Sequence, residues 1–240
     1  MPHEQMNIKQ LASYLSMDAR ELHKLASRQK LPCRKTGGNF IFTKCEIDRW
    51  VWDTLNEFNS RELQGIERGV AKHHGFNADI PIICPLVHKN TMVMPLNVHS
   101  QDAVLRGLVD SADAAGLIYD REHLLGELKA REQLCSTAIL PGVALPHPRQ
   151  PLPYDIAESF IIPGLTPAGI PFGAEDGSLS RLFFLICCKD ERTHLHVLAR
   201  IARILDKPGM IDMLMECTSP KEFGETLAHR EIELIGLHDE

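Results

Sequence analysis

The chain has 240 residues, of which 44% are hydrophobic and 24% charged, and this length allows one medium domain plus a small one. No apolar run approaches the ~20 residues that a membrane span requires, and residues 1–10 lack the apolar core of a signal peptide. The net charge is −6, but residues 1–53 carry nine Lys and Arg against six Asp and Glu, a net +3 that leaves −9 for the remainder. The seven cysteines are scattered without a CxxC pair, so they indicate neither a disulfide framework nor a zinc ribbon and favour a cytoplasmic protein.

Residues 7–53 predict three short helices with a basic hairpin before the last. Apolar residues recur at helical spacing on both sides of a break at residues 16–18, and Asp18 suits the start of the second helix. An extended segment, a tight turn at residues 36–39 and a short strand follow. Thr43 and Glu46 predict a capping box at the start of the third helix.

This arrangement resembles the excisionase-type winged helix-turn-helix, which is related to the DNA-binding heads of MerR regulators. The segments ASYL, LHKLASRQKLP and EIDRW and the Gly-Gly turn carry the resemblance. It implies that the second helix enters a major groove and that the hairpin reaches phosphates or the minor groove. The implied DNA contacts are Arg20, Glu21, Lys24 and Arg28 on the helix and Arg34, Lys35 and Asn39 on the hairpin. The alternative is an ordinary solvated face on a protein-binding module.

Residues 1–55 are therefore expected to form one domain, residues 56–80 a linker and residues 81–238 a second domain. Residues 56–80 mix charges and glycines without a sustained apolar stripe, which is typical of a tether. His73 and His74 in this segment are expected to be a solvated pair, since no cysteine or carboxylate lies at ligand spacing.

The second domain is predicted to be α/β or α+β, with a mixed central sheet flanked by helices. Residues 86–94 are expected to be an edge or first strand. Residues 159–162 and 182–188 predict further strands, and the latter should lie mid-sheet because it is apolar on both faces. Helices are expected to begin after Ser100, Asp120 and Ser219, each a good N-cap residue.

His147 lies between two prolines, which favour an extended backbone and predict a histidine presented on a loop. A neutral imidazole is a good nucleophile and, once phosphorylated, a good leaving group. From the local sequence alone, a surface histidine with no function is an equal alternative.

His194 and His196 fall near the start of a predicted helix. His194 lies at the edge of its apolar face, whereas His196 aligns with Arg200 and Arg203 and is expected to face outward. The two rings point ~200° apart on a helix, so a zinc site is not expected.

The segment REQLCSTAILPGVALPHPR, with its R-E, S-T and G-x-A-x-P-H elements, resembles the active-site signature of the fructose/mannitol/nitrogen-type EIIA domains of the bacterial phosphotransferase system. A second match, H-L-x-x-L-A, begins at His194, and the resemblance covers about residues 84–235. It implies that His147 accepts a phosphoryl group, that His194 supports it, that Arg131 offers a cation to the phosphoryl oxygens and that Thr137 donates a hydroxyl hydrogen bond. No metal or cofactor is expected.

The signature differs from the family pattern at several positions. Cys135, Ala138 and Leu140 replace glycines, Pro141 replaces an asparagine and Pro148 replaces a glycine. Losing glycines removes backbone freedom and adds side chains around the surface where a donor protein docks.

These features favour a cytoplasmic two-domain regulator that accepts phosphate from the histidine-containing phosphocarrier protein and binds DNA through its head. A regulatory protein partner and a homodimer are both left open. One alternative is a transport component that passes phosphate to a sugar permease. Another is a DNA-binding or interaction protein that uses an inactive EIIA scaffold.

Overall fold

The computed structural model describes residues 4–88 and 90–236, apart from the side chain of Asn56. The chain divides into two compact units: Met1–Ile80 with Leu195–Arg203, and Pro81–His194 with Ile204–Glu240. Residues 56–80, expected to be a linker, thus belong to the first unit. No helix in the described part of the chain is long and apolar enough to cross a membrane.

In its described residues, the first unit contains three antiparallel strands and four α-helices of its own. In chain order these are β1 (Gln5–Met6), α1 (Ile8–Leu15), α2 (Ala19–Ser27), β2 (Arg34–Thr36), β3 (Asn39–Thr43), α3 (Lys44–Asp53) and α4 (Ser60–His74). The strands lie in the order β1-β3-β2. The three predicted short helices and the hairpin before the last of them are therefore confirmed.

Capping explains where these helices begin. The Asp18 side chain accepts hydrogen bonds from the Arg20 and Glu21 amides at 2.7 and 3.3 Å, as predicted for α2. The capping box predicted for Thr43 does not form, because its side chain makes no cap hydrogen bond. Thr43 is still paired with Gln5 in the β1–β3 ladder, which holds it as a strand residue.

The hairpin turn is a position where glycine is required. Gly37 and Gly38 have φ values of +57° and +84°, and a two-residue turn with two positive φ angles matches the twist of the flanking strands. Thr36 and Asn39 pair directly across it.

Helix α4 lies where a tether was expected. Its buried residues include Leu63, Ile66 and Val70. The small residues Gly69 and Ala71 are also buried, at positions where large apolar side chains would be expected in an amphipathic helix. A Cβ atom on Gly69 would lie 2.2 Å from the Tyr14 carbonyl oxygen. The glycines therefore allow α4 to approach α1 closely, which is why they do not mark a flexible segment here.

The second unit has a three-stranded mixed sheet in the order β4-β6-β5, together with flanking helices. Its elements are α5 (Gln101–Ala114), α6 (Arg121–Leu134), β4 (Val143–Ala144), β5 (Phe160–Ile170), β6 (Ser180–Cys187), α7 (Glu191–Leu205), α8 (Met210–Glu216) and α9 (Pro220–Ile235), of which α7 runs through both units. Strand β6 is central as predicted; β4 runs parallel to it and β5 antiparallel.

The strand predicted over residues 86–94 does not form as a continuous element in the part of the chain described. The segment begins with a 3-10 helix, Cys84–Leu86, and its described residues form two isolated bridges to β5, at Val87 and Val93. Asn90 has a φ of +68°, which interrupts extended backbone between the bridges.

The expected N-caps of the second unit are confirmed. Ser100, Asp120 and Ser219 accept hydrogen bonds from the Ala103, His123 and Glu222 amides at 3.3, 2.9 and 3.2 Å. Gly164 of β5 lets α5 lie close to the sheet, since a Cβ atom there would be 2.6 Å from the Leu108 side chain.

The polar face of α7 is buried within the first unit, so the prediction that His196 faces outward is wrong. His196, Arg200 and Arg203 surround the carboxylate of Glu67 on α4, with the His196 Nε2 atom 3.0 Å from Glu67. Burial by itself raises the pKa of Glu67, but His196 and the two guanidinium groups outweigh it and hold that pKa below its usual value. A helix face of His and Arg residues, which the sequence predicts to be solvent-exposed, can thus be buried because a buried carboxylate pairs with it.

Candidate functional site

His147 lies just past the C-terminal end of β4. The loop is fixed on both sides, because the Leu145 amide donates to the Thr137 carbonyl at 3.0 Å and the Ile186 amide of β6 donates to the Pro146 carbonyl at 2.8 Å. His147 was expected to be presented on a loop, but only 4% of it is exposed. The expectation of a presented ring is therefore wrong: His147 is on a loop, but its ring is buried.

The hydrogen bond at Nδ1 defines the protonation of His147. This atom lies 2.7 Å from the Leu145 carbonyl oxygen. A carbonyl oxygen can only accept, so Nδ1 carries the proton and donates. The lone pair of the neutral ring is then on Nε2, which makes Nε2 the nucleophilic nitrogen.

His194 lies in the first turn of α7 beside His147. The Asp190 carboxylate accepts hydrogen bonds from the Arg192 and Thr193 amides at 3.1 and 3.0 Å, which starts the helix at this point. The ring centroids of His147 and His194 are 5.1 Å apart, and His194 is 1% exposed. The sequence-based expectation that His194 faces the core is confirmed.

Both histidines are neutral near pH 7. Burial, then the neighbouring His194 and Arg131, holds the pKa of His147 well below its usual 6.5. Burial and the charge of Arg131 lower the pKa of His194 to about 3, although Asp190 opposes them. The site therefore presents two uncharged rings in the field of one fixed cation.

Arg131, in the last turn of α6, supplies that cation. It is 4% exposed, and its Nη1 atom donates to the Cys135 carbonyl at 2.8 Å and contacts the Cys135 sulfur at 3.0 Å. Because the guanidinium is always charged and lowers the pKa of both histidines, its positive charge acts on the site.

Thr137 is buried, and its hydroxyl donates to the carboxylate of Glu132. The same carboxylate accepts the Thr137 amide at 3.1 Å. Burial raises the pKa of Glu132, although both Thr137 bonds and Arg131 oppose the shift. The sequence analysis did not predict this contact, because it used Glu132 only as part of the R-E motif. The S-T motif lies within five residues of Glu132, and this short spacing could have indicated that the two side chains meet.

The residues that replace family glycines cause no backbone strain. Among the described residues, the non-glycine residues with a positive φ are Ser16, Gln29 and Asn90, and none of them lies between Arg131 and Arg149. Gly142 is retained and has a φ of +79°, and the Val143 amide closes its turn on the Leu140 carbonyl at 3.0 Å. The loop position that requires a positive φ is thus still occupied by a glycine, Gly142.

The residues suggested as DNA contacts lie in the first unit, and all of them are exposed: Arg20, Glu21, Lys24, Arg28, Arg34, Lys35 and Asn39. Phe40 connects the helix to the hairpin, because His23 of α2 packs edge-on against its ring at 5.2 Å and Lys35 lies 5.9 Å from the ring centroid. The arginines and lysines of this set therefore lie on or at the end of α2 and on the β2–β3 hairpin, which contact each other within the first unit.

His73 and His74 pack against Tyr14, with the His73 ring 5.0 Å from the tyrosine ring. Within the described residues, no group of three or more His, Cys, Asp or Glu side chains is arranged to hold a metal ion.

Comparison with known proteins gives the family of the second unit. Residues 85–230 match the family described as phosphoenolpyruvate-dependent sugar phosphotransferase system, EIIA 2. The chain belongs to this family. The match includes all four candidate residues, Arg131, Thr137, His147 and His194.

Individual relatives agree with this assignment. The mannitol-specific IIA component of Staphylococcus aureus is 30% identical over 142 residues, covering 57% of this chain and 91% of that protein. The fructose-specific EIIABC component of Bacillus subtilis is 26% identical over 159 residues, covering 65% of this chain but only 23% of the relative. In fold, the chain is similar to the nitrogen regulatory protein IIA-Ntr of Neisseria meningitidis, with a TM-score of 0.56, 22% identity and coverage of 61% of this chain and 99% of that one.

Proposed function

We propose that this EIIA-type phosphotransfer domain accepts a phosphoryl group on His147 from the histidine-containing phosphocarrier protein, in a cytoplasmic regulator whose N-terminal head binds DNA. The observation that carries the first part is the hydrogen bond from His147 Nδ1 to the Leu145 carbonyl, 2.7 Å long, which leaves the Nε2 lone pair beside His194.

The transfer needs no proton to move at His147. The Nε2 lone pair attacks phosphorus, the phosphorus–nitrogen bond of the donor phosphohistidine breaks, and the donor imidazole leaves with the bond pair. The His147 ring becomes an imidazolium whose Nδ1–H still donates to Leu145, and that hydrogen bond strengthens as the ring gains charge. Arg131 supplies positive charge for the phosphoryl oxygens, and His194 lines the site as a neutral ring.

Intact-mass spectrometry tests this proposal after incubation with phosphoenolpyruvate, Enzyme I and the phosphocarrier protein. We expect one acid-labile phosphoryl group on the wild type and none on folded His147→Ala. His229→Ala is the matched control, because this exposed histidine belongs to α9 of the same unit. An unmodified wild type, or retained labelling of His147→Ala, would contradict the assignment.

The same assay, repeated with a mannitol- or fructose-type IIB domain added, separates the alternatives. A transport component would pass the phosphoryl group rapidly to a cysteine of a mannitol- or fructose-type IIB domain, whereas a regulator would hold it. An inactive scaffold would take up no phosphoryl group from any of the donors, and the strain-free loop around Gly142 argues against that outcome.

The second part of the proposal is that the head binds duplex DNA. It is supported by the exposed cations on α2 and the hairpin and by the net +3 charge of residues 1–53. We expect the triple variant Lys24→Ala, Arg28→Ala, Lys35→Ala to bind duplex DNA more weakly and with a shallower salt dependence, since each lost phosphate contact reduces the slope by about 1.

The control for this titration removes exposed cations from the second unit instead, through Arg192→Ala and Lys221→Ala. Equal loss of affinity in the two variants would show only a general charge effect. Selection from a random duplex pool then identifies the preferred sequence of the wild type.

A further inference from the structure

A continuous hydrogen-bonded path joins Glu132 to the ring of His147. The Glu132 carboxylate accepts the hydroxyl and, at 3.1 Å, the amide of Thr137. The Thr137 carbonyl accepts the Leu145 amide at 3.0 Å, and the Leu145 carbonyl accepts His147 Nδ1 at 2.7 Å. Between its two ends the path runs through main-chain groups of Thr137 and Leu145, which lie on either side of β4.

The carboxylate is suited to anchoring this loop because it accepts only and has two oxygens. Its Oε2 atom also lies 3.4 Å from the side-chain amide of Gln101, which in turn reaches the Phe172 carbonyl at 3.3 Å. Glu132 belongs to α6, and its carboxylate therefore contacts both Gln101 at the start of α5 and Thr137. Arg131, its neighbour in sequence, points instead to the Cys135 carbonyl.

We propose that Glu132 is a positioning residue for the phosphoryl acceptor, which acts through Thr137 and Leu145 to hold His147 in the Nδ1–H tautomer. This inference rests on the proposed function, and it revises the part expected of Thr137. The threonine hydroxyl is directed to Glu132 and fixes the loop, where the family resemblance implied that it donates to the phosphoryl group.

The tautomer matters because only one form is reactive at Nε2. With the Leu145 carbonyl in place, a proton on Nδ1 gains an acceptor and Nε2 keeps its lone pair for the attack. If the loop shifts and that carbonyl moves away, the Nε2–H form becomes competitive, and its Nε2 has no lone pair in the ring plane.

Nitrogen NMR of the His147 ring tests the inference without any phosphoryl donor. We expect a single Nδ1–H tautomer in the wild type and a mixture with Nε2–H in Glu132→Ala. Glu132→Gln keeps an acceptor oxygen and should restore most of the Nδ1–H form, which also covers the case in which Glu132→Ala does not fold. His194→Asn assigns the ring signals of the two histidines.

Glu122→Ala is the control, since it removes an exposed carboxylate at the other end of α6. Phosphorylation of Glu132→Ala should be slower by on the order of tenfold to a hundredfold, as expected for a small misplacement of a reacting group, and that of Glu122→Ala unchanged. A pure Nδ1–H tautomer in folded Glu132→Ala would overturn the inference. A wild type that takes no phosphate would instead overturn the proposed function, because the tautomer is read independently.

Discussion

At the scale of single residues, the site depends on keeping basic groups uncharged. His147 and His194 are buried beside Arg131, and each of these factors disfavours a second positive charge. Neutral imidazole is what nucleophilic attack requires, so burial that costs stability at low pH is consistent with the phosphoryl transfer proposed for His147.

This predicts a pH dependence of unfolding. The folded pKa of His194 is lowered from 6.5 to about 3. Below about pH 6.5 the unfolded chain therefore binds a proton that the folded chain does not, and stability falls as the pH drops from about 6.5 towards 3. Between about pH 6 and pH 5, His194→Asn should reduce the slope of unfolding free energy against pH by up to about 1.4 kcal/mol per unit.

Urea titrations of the folded variants measure that slope. His229→Asn is the control, because it makes the same substitution at an exposed histidine on α9 of the same unit. A His194→Asn slope equal to that of the wild type would contradict the expected burial of a neutral histidine.

At the scale of secondary-structure elements, the close approach of α1 and α4 builds the first unit. Gly69 faces the backbone of Tyr14, which cannot move aside as a flexible side chain would. At Gly126 of α6, in contrast, an added Cβ atom would meet no other atom within 4 Å, and the residue lies on an exposed helix surface.

The two glycines should respond oppositely to alanine. Gly69→Ala should destabilise the first unit by about 1–3 kcal/mol, since added volume in a tight contact forces the helices apart. Gly126→Ala should stabilise the second unit by up to about 1 kcal/mol through helix propensity.

Denaturant unfolding checks both changes. Both tryptophans of the chain, Trp50 and Trp52, are in α3, so their fluorescence reports on the first unit. Circular dichroism reports the helices of both units, so the transition of the second unit is the part of that signal that tryptophan fluorescence does not show. Unchanged stability of Gly69→Ala would mean that the α1–α4 contact is looser than the structure indicates.

At the scale of the whole molecule, charge is divided between a basic N-terminal segment and an acidic remainder. Phosphorylation of His147 changes its net charge by about −1 near neutral pH, because the phosphoryl group carries about −2 and the ring becomes a cation. As part of the proposed function, we propose that this change of charge alters the affinity of the head for DNA.

The expected outcome is a measurable change in DNA affinity at fixed salt between the unphosphorylated and phosphorylated protein. The titration of duplex DNA described for the head provides the measurement, with His147→Ala treated with the same donors as the control. Equal affinity in both states would leave the two activities uncoupled.

Several elements follow from local chemistry and are predictable from the sequence. Strand β6 is expected in the middle of the sheet because LFFLICC is apolar on both faces. Asp18 and Ser100 are recognisable as N-caps because their side chains can accept hydrogen bonds from the amides two or three residues further on. Helical periodicity and the family motif both select His194 over His196.

The remaining features depend on partners distant in sequence. Helix α4 resembles a tether in sequence because Gly65 and Gly69 interrupt its apolar stripe, and only the backbone of α1 explains them. His196, Arg200 and Arg203 resemble a solvated face because their partner, Glu67, lies on another helix.

The sequence by itself determined the family motif and the order of most elements, and it selected His147 and His194 as the pair proposed for phosphoryl transfer, because these rest on residue type and short-range spacing. Tertiary structure alone decided the burial of His147, its packing against His194 and the ion pairs of α7 with Glu67. Those properties arise where separate segments meet, and hydrogen bonding and desolvation at such contacts depend on distances that local periodicity does not specify.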